Sequence, residues 1–156
     1  MNIFILDTDP RQAARYLCDK HVVKMVTESA QMLSTVARHY GYTGGDLYKT
    51  AHPKHKCTLW AQESKDNCAW LLDHAHEIGI EFTKRFGKIH SAALVVDRCA
   101  FVPDLCPDKG LTPFALAMPD QYKTDDAVVS YRRYYLNDKV LFAEWRSGSP
   151  DWWRSV

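Results

Sequence analysis

The sequence predicts an all-α fold, a compact helical bundle with a short extended start. Three observations carry this. Apolar residues recur at three- and four-residue steps through most of the chain, capping signals punctuate those stretches, and only residues 2–6 have β-prone character. The length of 156 residues fits one domain, residues 1–156, and allows roughly 70% of the unfolded surface to be buried. Apolar residues make up 46% and charged residues 25%, with a mean hydropathy of −0.36. That composition excludes a disordered or collagen-like chain. No apolar run approaches the roughly 20 residues that span a bilayer, so no membrane partner is expected. The opening Met-Asn-Ile-Phe-Ile-Leu is too short for a signal peptide and is soon followed by Asp7 and Asp9, which points to the cytoplasm.

Taken in order, Asp9 followed by Pro10 reads as an N-cap and first helical position, with Gln12 in capping-box register, for a helix over about 11–18. A second helix runs over about 19–40 and stops at Gly41. Its apolar stripe is Val22, Val26, Leu33, Val36, Ala37 and Tyr40. Residues 42–53 form a loop. The third and longest helix is expected over about 58–86, with Leu71, Leu72, Ala75, Ile78 and Phe82 on one side and Gly87 at its end. Residues 92–96 continue helically before a Pro-containing loop over 101–119. A last helix starts near 126, capped by Asp125, and the break at 147–150 leaves an aromatic tail.

Five cysteines, with no CxxC pair and no regular spacing, read as reduced core thiols rather than a disulfide framework. His52, His55 and Cys57, joined by His21 or His74, match no zinc signature, so no metal and no cofactor are expected. Nucleophile elbows, phosphate loops and dinucleotide fingerprints are absent.

Three clusters remain. His21, Lys24, Glu28, Gln31 and Thr35 fall on one face of the second helix, opposite the apolar stripe, as either a polar cleft wall or a solvated face. Trp60, Glu63, Asn67, Trp70 and His74 share a face of the third, preceded by His52 and His55. The alternatives there are a second wall of the same cleft or a semi-buried seam. The run Tyr131-Arg132-Arg133-Tyr134-Tyr135, with Lys139, Trp145, Arg146, Trp152, Trp153 and Arg154, interleaves rings and cations. That pattern suits nucleic acid, although an amphipathic helix with core tyrosines has the same appearance.

Asp19-Lys20-His21 with Glu28 seven residues beyond the histidine resembles the Asp-x-His…Glu helix of the pyrimidine-dimer DNA glycosylases (endonuclease V-like). His52-Pro53 and Trp60 are similar to the His-Pro…Met-Trp segment that opens the long central helix of bacterial relatives. Phe82 to Gly87, with Arg85, resembles that helix's Arg-Gly terminus, and Tyr131 to Tyr135 resembles the family's DNA-touching C-terminal segment. The whole pattern is also similar to a phage branch of the family, which would put the protein in a host cytoplasm.

The resemblance implies a compact all-α enzyme acting as a monomer on DNA, with a glutamate, here Glu28, as catalytic carboxylate. The family's nucleophile is the α-amine of a threonine exposed by removal of the initiator methionine. Residue 2 here is Asn, whose bulk leaves that methionine in place, so the amine would belong to Met1, with Lys24 as the substitute. Family arginines beside the glutamate appear as Thr27 and Gln31. His21 would orient Glu28 or position a phosphate, and Trp60 or Trp70 would hold an extruded base. Gln31, His52, His55, Asn67, Arg85, Arg132, Arg133, Tyr134 and Tyr135 complete the expected DNA-contacting set. The function read this way is a DNA glycosylase, with or without abasic-site lyase activity. The alternatives are a base- or nucleotide-modifying transferase using the same face, or a non-catalytic DNA-binding module.

Overall fold

The computed structural model describes residues 1–153, and six α-helices with no strand are found among them. They are α1 (Pro10–Tyr16), α2 (Asp19–His39), α3 (Lys56–Glu63), α4 (Lys65–Phe86), α5 (Ser91–Arg98) and α6 (Ala127–Tyr134). Helix α4 is the centre of the bundle, with α1, α2, α3 and α5 all packed on it. The predicted stripe of α2 is its core face, where Val22, Val26, Leu33, Val36 and Ala37 are fully buried. The all-α class is as expected.

Helix ends follow local chemistry. Asp9 accepts the N–H groups of Arg11 and Gln12 at 2.9 and 2.8 Å, as its place before Pro10 predicts. Gly41 and Gly87 close α2 and α4 with φ of +92° and +71°, left-handed values that a β-carbon opposes. Asp126, not Asp125, caps α6, accepting the Val129 N–H at 3.0 Å. Beyond Tyr134 the chain widens into a π-type turn, Tyr135–Lys139, instead of continuing as α-helix.

Two expectations are corrected. The third predicted helix is two helices, broken at Ser64, whose φ and ψ of −148° and 147° are extended. The serine hydroxyl accepts the Asp66 N–H and donates to the Gly110 carbonyl, while the Lys65 N–H donates to Pro107. The break thus anchors the loop over 107–119, and its signal was a capping serine inside an otherwise periodic run. Residues 2–6, expected as an extended start, form no strand and are interrupted at Phe4 by a left-handed φ of +58°. They pass through the core, with Ile3, Phe4, Ile5 and Leu6 buried and no ladder partner among the described residues.

All five cysteines are buried free thiols. His74 is also fully buried, stacked on Trp70 at 5.0 Å, and neither ring nitrogen has a hydrogen-bond partner among the described residues. Burial pushes its pKa down to about 3. An unfolded histidine titrates near 6.5, so between about 6.5 and 3 the unfolded chain takes up a proton that the folded chain refuses. Stability conferred by the neutral ring is complete above that window and is lost as pH falls through it. His74→Leu should flatten the pH dependence of urea-unfolding stability by on the order of 1.4 kcal/mol per pH unit there. An unchanged slope would mean that the folded protein protonates the ring.

Candidate functional site

Glu28 projects from α2 toward the start of the chain, its side chain 13% exposed. Its Oε2 accepts the Asn2 backbone N–H at 3.1 Å and lies 3.8 Å from the Met1 amine. Its Oε1 lies 3.4 Å from Lys24 Nζ, one helical turn earlier. A carboxylate, an α-amine and a lysine therefore meet at one corner. The Met1 side chain is buried, and Thr58 of α3 donates its hydroxyl to the thioether at 3.6 Å.

Beside this corner lies a groove of about 480 Å³, lined by Met1, by Lys54, His55 and Lys56, by the stretch 116–119 and by Tyr134. His55 caps α3, its Nδ1 accepting the Cys57 N–H at 3.1 Å. Burial holds its pKa below the ordinary histidine value, with the Met1 amine and His52 pushing the same way. Next to it His52 is exposed, with a left-handed φ of +48°. Gln31, one turn beyond Glu28, is half-buried. From the groove a line of rings runs inward, with cations at its two ends. Lys139 sits 4.2 Å from the Tyr134 ring centre, Tyr134 stacks toward Phe4, and Phe4 stacks on His21 at 4.3 Å. His21 meets the edge of Phe142, which Lys20 covers at 4.6 Å.

Several expected contacts belong instead to the core. His21 is buried, with Nδ1 2.5 Å from the Tyr135 hydroxyl. Burial, reinforced by Lys139, Lys24 and Lys20, lowers its pKa to about 3. A neutral ring of that kind packs the aromatic line and does not clasp a phosphate as an imidazolium. Tyr135 is fully buried, so only Tyr134 of the two reaches the groove.

The shared cleft between the second and third predicted helices is not formed. Trp60, Asn67, Trp70 and His74 are buried in a packed seam. Trp60 and Trp70 donate their indole N–H groups to the carbonyls of Thr112 and Thr8. The Asn67 carboxamide donates to the Trp60 carbonyl and Thr112 hydroxyl and accepts the Thr112 N–H. These side chains hold the 107–119 loop in place, and Glu28 faces the chain's beginning instead.

The arginines divide. Arg85 is buried between helices, and Arg132 donates to the Leu6 carbonyl at 2.9 Å and lies over the rings of Tyr16 and Trp152. Arg133 is exposed, and Arg154 lies outside the described residues. Asn2, Lys54 and Lys56 were not among the residues the sequence selects for the site, although Lys54 lies within the His52-to-His55 run. The lysines had a signal in flanking the selected His55, whereas nothing periodic marks Asn2. Among the described residues no group of three or more His, Cys, Asp or Glu is arranged to hold a metal ion, and no helix is long and apolar enough to cross a membrane.

A carboxylate and an amine thus stand beside a groove edged by two lysines, a histidine and a tyrosine. The comparisons with known proteins name the family: a model describing pyrimidine dimer DNA glycosylases matches residues 1–94, and the chain belongs to that family. No curated protein and no solved structure matches it. The matched segment carries Met1, Glu28 and Lys54 to Lys56, while the groove wall at 116–119 and Tyr134 lie beyond it.

Proposed function

We propose that this protein removes a damaged or modified base from DNA, working as a monomer of one domain, with the Met1 α-amine as nucleophile and Glu28 as the proton-transferring carboxylate. The observation that carries the reading is the 3.8 Å approach of amine and carboxylate at the end of a basic groove. An α-amine in its neutral form is a nucleophile suited to attack on a sugar carbon. The neutral amine attacks C1′ of the target nucleotide, the N-glycosidic bond breaks, and the base departs with a proton. Opening of the sugar ring then leaves an imine. Glu28 stabilises positive charge developing on the sugar and returns protons as the imine forms and is resolved. Hydrolysis of the imine ends the reaction as a glycosylase, and β-elimination from it cuts the strand. Lys24 Nζ, on a side chain 62% exposed, is suited to holding the carboxylate in register.

Borohydride reduction during incubation with dimer-containing and abasic duplexes tests the imine. The expected product is a covalent adduct mapped by mass spectrometry to the peptide beginning at Met1, whose presence the intact mass establishes. An adduct on Lys24 would transfer the nucleophile, and no adduct on either duplex would remove the imine step.

DNA lies along the groove and past Tyr134 in this reading. The extruded base faces Tyr134 and Met118 rather than the enclosed indoles. Lys54→Ala and Lys56→Ala should each lower the slope of log affinity against log salt by about one. Arg132→Ala should leave the slope unchanged and lower stability instead, because its guanidinium is committed to Leu6 and Asp7. Slopes that change with Arg132 and not with the lysines would move the DNA path to α6.

A further inference from the structure

Resting on the amine reading above, we propose that Asn2 is the positioning residue of the site: its carboxamide clamps the first turn of the chain so that the Met1 amine and Glu28 share one corner. The side chain is buried and every polar atom is used. Oδ1 accepts the N–H groups of Ile3 and Phe4 at 2.8 and 3.1 Å, which folds residues 2–4 into a tight turn. Nδ2 donates to the Ala117 carbonyl at 2.7 Å and ties that turn to the opposite wall of the groove. The backbone N–H meanwhile occupies Glu28 Oε2, the same oxygen that faces the amine.

The turn needs a clamp. Phe4 has a φ of +58°, a left-handed conformation that a bulky side chain resists and that persists only when the surroundings dictate it. Here the asparagine turn holds its backbone and the rings of His21 and Tyr134 hold its side chain. A terminal residue is ordinarily among the most mobile in a chain, and an amine free to swing would seldom meet C1′ at bonding distance. Only a short side chain carrying both an acceptor and a donor can close the turn and reach Ala117 at once. Asn supplies both. Its bulk also keeps Met1 in place, so one residue supplies the amine's identity and its position.

The test compares wild type, Asn2→Leu and Asn2→Asp, all bulky enough at position 2 to retain Met1. Leucine removes both halves of the clamp. Aspartate keeps the turn's acceptor, breaks the tie to Ala117 and nearly preserves the shape, so it carries the test if the leucine variant does not fold. Borohydride trapping on an abasic duplex gives the rate at saturating DNA, and anisotropy on an uncleavable duplex gives Kd. The saturating rate should fall about tenfold or more in the variants while Kd stays within about twofold. A saturating rate retained in both overturns the proposal. So does a parallel loss of rate, Kd and thermal stability, which a merely structural residue would produce. Absence of any adduct from wild type overturns the imine reading and this inference together, whereas an adduct formed equally fast in all three proteins overturns this inference alone.

Discussion

Glu28→Gln should lower the single-turnover rate of base release by about 10²-fold or more while leaving DNA affinity within a few-fold of wild type. Glutamine has the same shape, and its carbonyl oxygen can still accept the Asn2 N–H that Oε2 accepts in the wild type. What disappears is the negative charge facing the Met1 amine at 3.8 Å and Lys24 at 3.4 Å, and with it the ability to take up and return a proton. His21 is not placed to substitute, because burial keeps it neutral and its Nδ1 is engaged by Tyr135. Glu28 is also the only carboxylate on its face of α2, so the loss should not be shared out. The measurement is base release under single-turnover conditions, with affinity determined separately. Full activity in Glu28→Gln on dimer-containing and abasic DNA alike would remove Glu28 from the reaction, whereas base release from neither DNA by the wild type would leave a DNA-binding module.

Arg85→Met should cost about 3–5 kcal/mol of folding stability, the scale for removing one partner of a buried ion network. The Arg85 side chain is 1% exposed. Its guanidinium donates to Glu81 at 2.9 Å, to Asp19 at 3.1 Å, and to the carbonyls of Leu17 and Arg15 at 2.7 and 2.9 Å. It therefore joins the end of α1 and the start of α2 to α4. Methionine fills much of the volume but leaves the Glu81 carboxylate buried, with Lys84 at 3.6 Å as its remaining ion-pair partner among the described residues. The melting temperature should fall by roughly 10 °C. Arg85→Lys should recover little, since a point charge cannot reproduce the forked donation. The salt dependence of DNA binding should stay as in wild type under conditions where the variant is folded. A stable Arg85→Met protein with a weaker salt slope would return this arginine to the DNA surface.

The contrast between Arg85 and Lys54 shows where sequence reasoning stops. Both are basic residues near selected motifs, and nothing in their neighbours along the chain separates a cation enclosed among three helices from one on a groove wall. Burial is decided by residues far away in sequence: Arg15, Leu17 and Asp19 for Arg85, and the 116–119 stretch for the groove. The Trp60–His74 face has the same lesson. Its helical spacing is real, but the 107–119 loop covers it, and the loop's path depends on tethers from Ser64 and Asn67 that periodicity does not record.

What the sequence determined by itself is the local physics. Apolar spacing set the core face of α2, Asp9 before Pro10 set the start of α1, Gly41 and Gly87 set two helix ends, and Asp19, His21 and Glu28 carried the family resemblance. These features depend on neighbours within about one or two helical turns, which a sequence displays directly. Only the tertiary structure decided that Glu28 meets Met1 rather than the long helix, that His21 packs against Phe4 and Tyr135, and that Asn2 joins the chain's first turn to Ala117. The Asn2–Ala117 contact bridges 115 residues, and the geometry of such a pairing follows from how the whole bundle closes.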